Sequence, residues 1–199
     1  MAVTEQGSGG GPFQRRIKNI LFSPSEEWDR IDAEPATVRG LYVGYACILA
    51  AIGPIARLIG EQVFGVHGFY QRIHPPLVEG LVSAIVSYAL GLGGVFVLAL
   101  AIDALAPSFG GTRSRIQALK VAVYSWTAAW IFAVFLLVPQ VSALSIIGVY
   151  SLYLLYLGVP KLMKAPADKA LIYSVLAIAV AMAVWLVVGV AAGAIVRFA

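Results

Sequence analysis

The chain has a single cysteine, Cys47, so no intrachain disulfide is possible. Charge is also scarce. Asp, Glu, Lys and Arg make up 12% of the 199 residues, against about a quarter in ordinary soluble domains. With 60% of residues hydrophobic, a soluble fold of this size lacks the polar side chains to cover its surface. Lipid as solvent removes that requirement. Glycine-rich phosphate loops, HExxH helices and cysteine clusters are missing. Gly91-Leu92-Gly93-Gly94 lies inside an apolar stretch and is no nucleotide loop. These gaps point away from an enzyme and give no catalytic residue, cofactor or metal site. The polar, glycine-rich start has no apolar core of a signal peptide, and 1–12 reads as a disordered tail. The net charge of +4 is modest, and the placement of the charges favours anionic lipid headgroups over nucleic acid.

What is present is apolar length. About 20 helical residues cross a bilayer, and five stretches meet or approach this: 40–64, 77–102, 121–138, 141–159 and 171–196. The third and fourth are short and separated only by Pro139 and Gln140. Proline cannot continue the helical ladder, so a tight helical hairpin is expected there. The predicted fold is all-α, a polytopic five-helix membrane bundle (40–199) preceded by short amphipathic cytoplasmic helices (13–39).

Basic residues set the expected orientation. Arg15, Arg16, Lys18, Arg30 and Arg39 precede the first span. Arg113, Arg115 and Lys120 lie between the second and third, and Lys161, Lys164 and Lys169 between the fourth and fifth. Only Arg57, Arg72 and Arg197 belong to the other side. This bias predicts a multi-pass protein of the cytoplasmic (inner) membrane, with the N-terminus in the cytoplasm and the C-terminus outside.

Ahead of the first span, Phe13, Ile17, Ile20 and Leu21 recur at helical spacing among Arg15, Arg16 and Lys18. Ser23-Pro24-Ser25-Glu26 looks like a helix start, with Ser23 as cap, Pro24 in the first position and Glu26 closing a capping box. Trp28 and Ile31 give this second helix an apolar side. Two roles are open: packing on the bundle, or lying on the membrane surface to meet headgroups or partners.

Charges within spans are the default functional candidates in a membrane protein. Arg57 lies about 10 Å from the far end of its span, with Pro54 before it and Glu61 one turn on. Arg72 and Glu79 belong to the same side, and His67 and His74 lie in the connecting loop. The candidate cluster is therefore Arg57, Glu61, Arg72 and Glu79. Snorkelling, a structural ion pair and a ligand site are its competing readings. Among possible partners Glu79 is preferred, because Arg before Glu is the weaker order along one helix. His67, His74 and Glu79 make a poor metal set. Small-residue seams are read at Gly40 and Gly44, at Gly91 and Gly94 with Gly80, Ala84 and Ser87, and at Gly189 and Gly193. They suit internal packing, or self-association as the alternative. Tyr124, Trp126, Trp130, Tyr150, Tyr153 and Tyr156 suit packing or an interfacial belt, with Ser125, Thr127, Ser145 and Ser151 as hydroxyl partners.

Three stretches carry a resemblance. They are Ile20-Leu21-Phe22-Ser23-Pro24-Ser25-Glu26-Glu27-Trp28, Tyr124-Ser125-Trp126-Thr127, and Leu152-Tyr153-Leu154-Leu155-Tyr156-Leu157-Gly158-Val159-Pro160-Lys161-Leu162-Met163-Lys164 with Lys169-Ala170 beyond. In these the chain resembles the Yip family (Ypt/Rab-interacting-protein domain), bacterial branch, from about Ile17 onward. The resemblance implies five spans, a cytoplasmic N-terminus and a C-terminus on the far side, and brings no catalytic residues. Eukaryotic relatives are linked to vesicle traffic and small GTPases and carry a longer cytoplasmic N-terminal region than this chain, so that link is not carried over. The expected function is non-enzymatic organisation of membrane or partner proteins, other membrane proteins or a second copy included. The alternative is a small transporter or channel working as an oligomer.

Overall fold

The computed structural model describes residues 11–67 and 72–198, without the side chains of 66, 67, 72, 73 and 196–198. The expectations for the tail up to residue 10 and for the His67, Arg72 and Arg197 side chains lie outside the described residues. Two short helices, α1 (Pro12–Phe22) and α2 (Pro24–Ala33), precede five helices long and apolar enough to cross a membrane. These spans are Val38–Phe64, Leu77–Phe109, Arg115–Leu137, Pro139–Leu162 and Ala167–Ile195, the last continuing to Phe198. The protein is an all-α polytopic bundle. A two-residue antiparallel pairing, Val66 with Ile73 and His67 with Arg72, closes the loop between the first two spans.

The first span is irregular for identifiable reasons. A π-helical turn occupies Tyr42–Ala46, and the helix breaks at Ala51 between Cys47–Ala50 and Ile52–Phe64. Pro54 causes the break. It has no N–H for the Ala50 carbonyl, and its ring crowds that oxygen. The far ends of the third and fourth spans are wound as 3₁₀ helix, over Ala133–Leu137 and Pro139–Val149. That winding rises about 2.0 Å per residue against 1.5 Å in an α-helix, so fewer residues cover the depth. Val138 and Pro139 make the turn, as expected from the proline. The hairpin approaches the first span at Gly60, where an added Cβ would meet the Leu136 and Leu137 carbonyl oxygens at 2.7 Å.

The second and fifth spans pack through small residues. A Cβ on Gly94 would touch Val188 and Val184 at 3.2 and 3.3 Å, and Gly91 faces the Trp185 ring. Gly40 meets only Thr37, its own helix cap. Gly44, Gly189 and Gly193 have open space where a side chain would go. The Tyr173 hydroxyl donates to the Ile102 carbonyl at 2.6 Å, and its ring stacks on Phe109.

The helix α2 is part of the core. Trp28 is fully buried, with Ile20 of α1 and Ile31 beside it in the same cluster. The indole lies against Gly158 of the fourth span, where a Cβ would stand 2.7 Å from Trp28 Cζ2. Of the two roles open for this helix, packing on the bundle is the one seen. The capping box does not form. Ser23 is the single residue between α1 and α2, its ψ of 56° is not that of a cap, and its side chain makes no capping bond. Its backbone is already engaged, the N–H donating to Asn19 and the carbonyl accepting from Glu27.

Trp28→Ala should therefore cost about 3 kcal/mol or more of stability, as for a buried aromatic. Gly158→Ala alone should also destabilise, by about 1–3 kcal/mol, through overpacking. Combining Gly158→Ala with the smaller ring of Trp28→Phe should recover part of that loss. Thermal unfolding in mild detergent reads all three, and a neutral Gly158→Ala would contradict the contact.

Candidate functional site

Two charged clusters emerge, at opposite ends of the bundle. The first joins α2 to the face that carries most of the basic residues. Lys161 donates to the Ser25 carbonyl at 2.7 Å, to Ser25 Oγ at 3.1 Å and to Asp29 Oδ1 at 2.7 Å. Lys164 pairs with Asp32. Lys120, only 3% exposed, donates to the carbonyls of Ile31 and Glu34 at 2.7 and 2.5 Å. Those carbonyls are the free acceptors at the end of α2, where the helix dipole favours a cation. Gln117 adds bonds to the Asp32 carbonyl and carboxylate.

Behind this clamp lies Glu27, 2% exposed. Its carboxylate accepts from Arg16 at 2.5 Å, from Asn19 at 3.1 Å and from Arg30 at 3.1 Å. A buried carboxylate is tolerable only when matched in this way. Arg16 also pairs with Glu34 and lies 5.4 Å above the Tyr124 ring. Arg16 therefore faces inward, whereas Arg15 and Lys18 stay exposed. Sequence spacing had grouped all three on one headgroup-facing surface.

Hydroxyls tie the same end together. Thr127 donates to the Tyr124 carbonyl at 2.7 Å, so Tyr45 is the donor in its 2.8 Å bond to Thr127 Oγ1. Tyr150 donates to the Leu21 carbonyl at the end of α1. Ser151 accepts the Ala129 N–H at 2.9 Å. Of the serines expected to serve the tyrosines, Ser125 is buried, its hydroxyl without a partner among the described residues.

The second cluster sits toward the far end, in a cavity of about 220 Å³ between the first, second, third and fifth spans. Arg57, Glu61, Ser83, Ser87, Tyr88 and Trp185 are among its walls. Arg57 Nε donates to Glu61 Oε1 at 2.7 Å. The preference for Glu79 as partner is thus overturned. One helical turn holds Glu61 beside Arg57 by construction, while the order effect that disfavours the pair is a few tenths of a kcal/mol. Glu79 stands exposed in the first turn of the second span, where a carboxylate suits the free helical N–H groups. His74 donates from Nδ1 to the Gln62 carbonyl at 3.1 Å. Among the described residues no three His, Cys, Asp or Glu side chains gather in a metal-holding group.

A profile of the Yip1 domain matches residues 18–188. The chain belongs to the Yip1 domain family. It is 28% identical over 160 residues to inner membrane protein YohC of Escherichia coli K12, covering 77% of this chain and 82% of that one. The protein of the same name from Escherichia coli O6:H1 matches equally. No solved structure matches the chain.

Two of the stretches that resemble the Yip1 family turn out to touch. Ser25 and Trp28 of the first meet Lys161 and Gly158 of the last. Sequence reasoning quoted these residues without assigning them to each other. It also missed Lys120, counted only as a topogenic charge, and Asp103, which is 6% exposed and lies 3.7 Å from Arg113. A lone lysine or aspartate at the edge of an apolar run was the available signal.

For the far cluster, a double-mutant cycle in detergent separates the partners. Arg57→Ala and Glu61→Ala should be non-additive, the double change costing less than the sum by about 0.5 kcal/mol. Arg57→Ala and Glu79→Ala should simply add. The reverse pattern would contradict the pairing described here.

Proposed function

We propose that the protein is a non-enzymatic component of the inner membrane that organises membrane or partner proteins through a fixed platform built from α1 and α2. One observation carries this reading. Two stretches that resemble the family clamp α2 onto the bundle, through Trp28 against Gly158 and through Lys161 and Lys164, and Lys120 of the third span adds to them. A clamped helix presents one invariant surface, which suits docking better than chemistry. The excess of lysine and arginine at this end argues that it is cytoplasmic. Arg15, Lys18 and Arg39 are exposed there, beside Phe22 at 80% exposure, a combination suited to anionic headgroups. The open flank of Gly189 and Gly193 on the fifth span supports close approach by another membrane helix or a second copy.

A transporter or channel remains the second reading, favoured by the cavity around Arg57 and Glu61. Flux measurements in proteoliposomes separate it from the first. Pull-down in mild detergent, with mass spectrometry of proteins and lipids, should recover a partner with the native chain and lose it with Trp28→Ala. Solute or ion flux without a partner would favour transport.

Two further outcomes are expected. A reporter fused after Pro166 should be active in the cytoplasm, and one fused after Ala199 outside it. Arg15→Glu with Lys18→Glu in the full chain should lower its preference for anionic over neutral lipid by about 1 kcal/mol per charge, and less at high salt. The full chain is required, because Trp28 orders α2 only against the fourth span.

A further inference from the structure

The ion pair in the far cavity leaves polar groups of both signs without partners. Arg57 uses only Nε on Glu61, so both terminal guanidinium nitrogens are free among the described residues. Among the described residues Glu61 uses only Oε1, and no partner meets Oε2. Because the pair is neutral overall, it has no net attraction for a simple anion or a simple cation. What it matches is a molecule that carries both charges a few atoms apart. Trp185 in the wall also has a buried indole N–H without a partner among the described residues.

The surroundings specify the rest of that molecule. A second hollow of about 270 Å³ adjoins the first and shares Pro54, Leu58, Ala84 and Tyr88 with it. It is apolar and opens past Ile55 and Ile85, which are 53% and 66% exposed on the bundle surface. A charged pair whose Arg57 side chain is 64% exposed, beside an outward-opening apolar groove that shares its wall, suits a headgroup and its chain. The charged chamber is itself far larger than the roughly 15 Å³ that one water needs.

Depth is consistent with this. The first span has 27 residues, about 40 Å of helix, against a hydrocarbon core of about 30 Å. Centred in the bilayer, it extends about 5 Å past the core at each end. Arg57, about 10 Å from the end, then lies only about 5 Å below the headgroup boundary, within reach of a lipid phosphate through its long side chain.

We propose that this cavity is a binding site for a zwitterionic phospholipid with a primary ammonium, its phosphate held by Arg57, its ammonium by Glu61 and its acyl chain in the adjoining groove. Arg57 offers a planar pair of donors to phosphate oxygens. The ammonium donates to Glu61 Oε2.

The test uses the full chain, delipidated in mild detergent and titrated with phosphatidylethanolamine or phosphatidylglycerol, with native mass spectrometry as readout. The native chain should bind one phosphatidylethanolamine at least tenfold more tightly than phosphatidylglycerol. Glu61→Gln keeps the shape and the acceptor for Arg57 Nε while removing the negative charge. It should weaken phosphatidylethanolamine about tenfold and strengthen phosphatidylglycerol, a crossover that misfolding cannot produce. Arg57→Ala should weaken both. Ala84→Phe, which fills the shared wall and leaves the charges alone, should also weaken both. Free phosphoethanolamine should displace the lipid only at far higher concentration. Equal affinity for the two lipids, a parallel loss of both in Glu61→Gln, or displacement by phosphoethanolamine as effective as by lipid would each overturn the proposal.

Discussion

The absence of a side chain at Gly158 is the constraint on which the rest of the basic end depends. Any Cβ there would stand 2.7 Å from the Trp28 indole. Because it is missing, a whole aromatic ring enters the gap and fixes α2 against the fourth span. Once α2 is fixed, its C-terminal carbonyls come to Lys120 and its outer carboxylates to Lys161 and Lys164. Glu27 is then buried, and that burial requires Arg16, Asn19 and Arg30 to converge on it. Arg16 brings α1 along, and Tyr150 closes the last contact at Leu21.

The basic residues of this end consequently divide into two groups. Arg15 and Lys18 are exposed, whereas Arg16 and Lys120 are turned inward as counter-charges and helix caps. A positive-inside bias and a docking clamp are built from overlapping residues, so a tally of charges overstates what is free to meet lipid. The opposite end works differently. There Arg57 and Glu61 form a neutral pair on one helix, beside a break created by Pro54, and the break accompanies a cavity.

Apolar length and proline made the five spans and the turn at Pro139 legible in the sequence, because both effects are local. The 3₁₀ winding of the third and fourth spans was not legible, since no local pattern marks it and its contact with the first span at Gly60 is long-range. The capping box at Ser23 failed although its letters fit, because a one-residue link left no room for a cap conformation. Glu79 lost to Glu61 because a small orientational preference was weighed above guaranteed proximity. The clamp itself joins residues far apart in the chain, 85 positions for Gln117 to Asp32 and 136 for Lys161 to Ser25. Periodicity carries no information at that range, and only the family resemblance hinted that these stretches belong together. At the candidate site, the sequence pointed to Arg57 and Glu61 but held no sign of the chamber around them or of the groove beside it.

The central claim is that α2 is a core element and not a loosely attached surface helix. Amide hydrogen exchange of the full chain in lipid nanodiscs tests it most directly. Local stability in a fold ranges from near zero for loose elements to the global value for core ones. The account predicts that amides of α2 from Trp28 onward exchange as slowly as those of the fourth span beside Gly158, and that both accelerate together in Trp28→Ala. Fast exchange in α2 of the native chain, with the fourth span still protected, would contradict it.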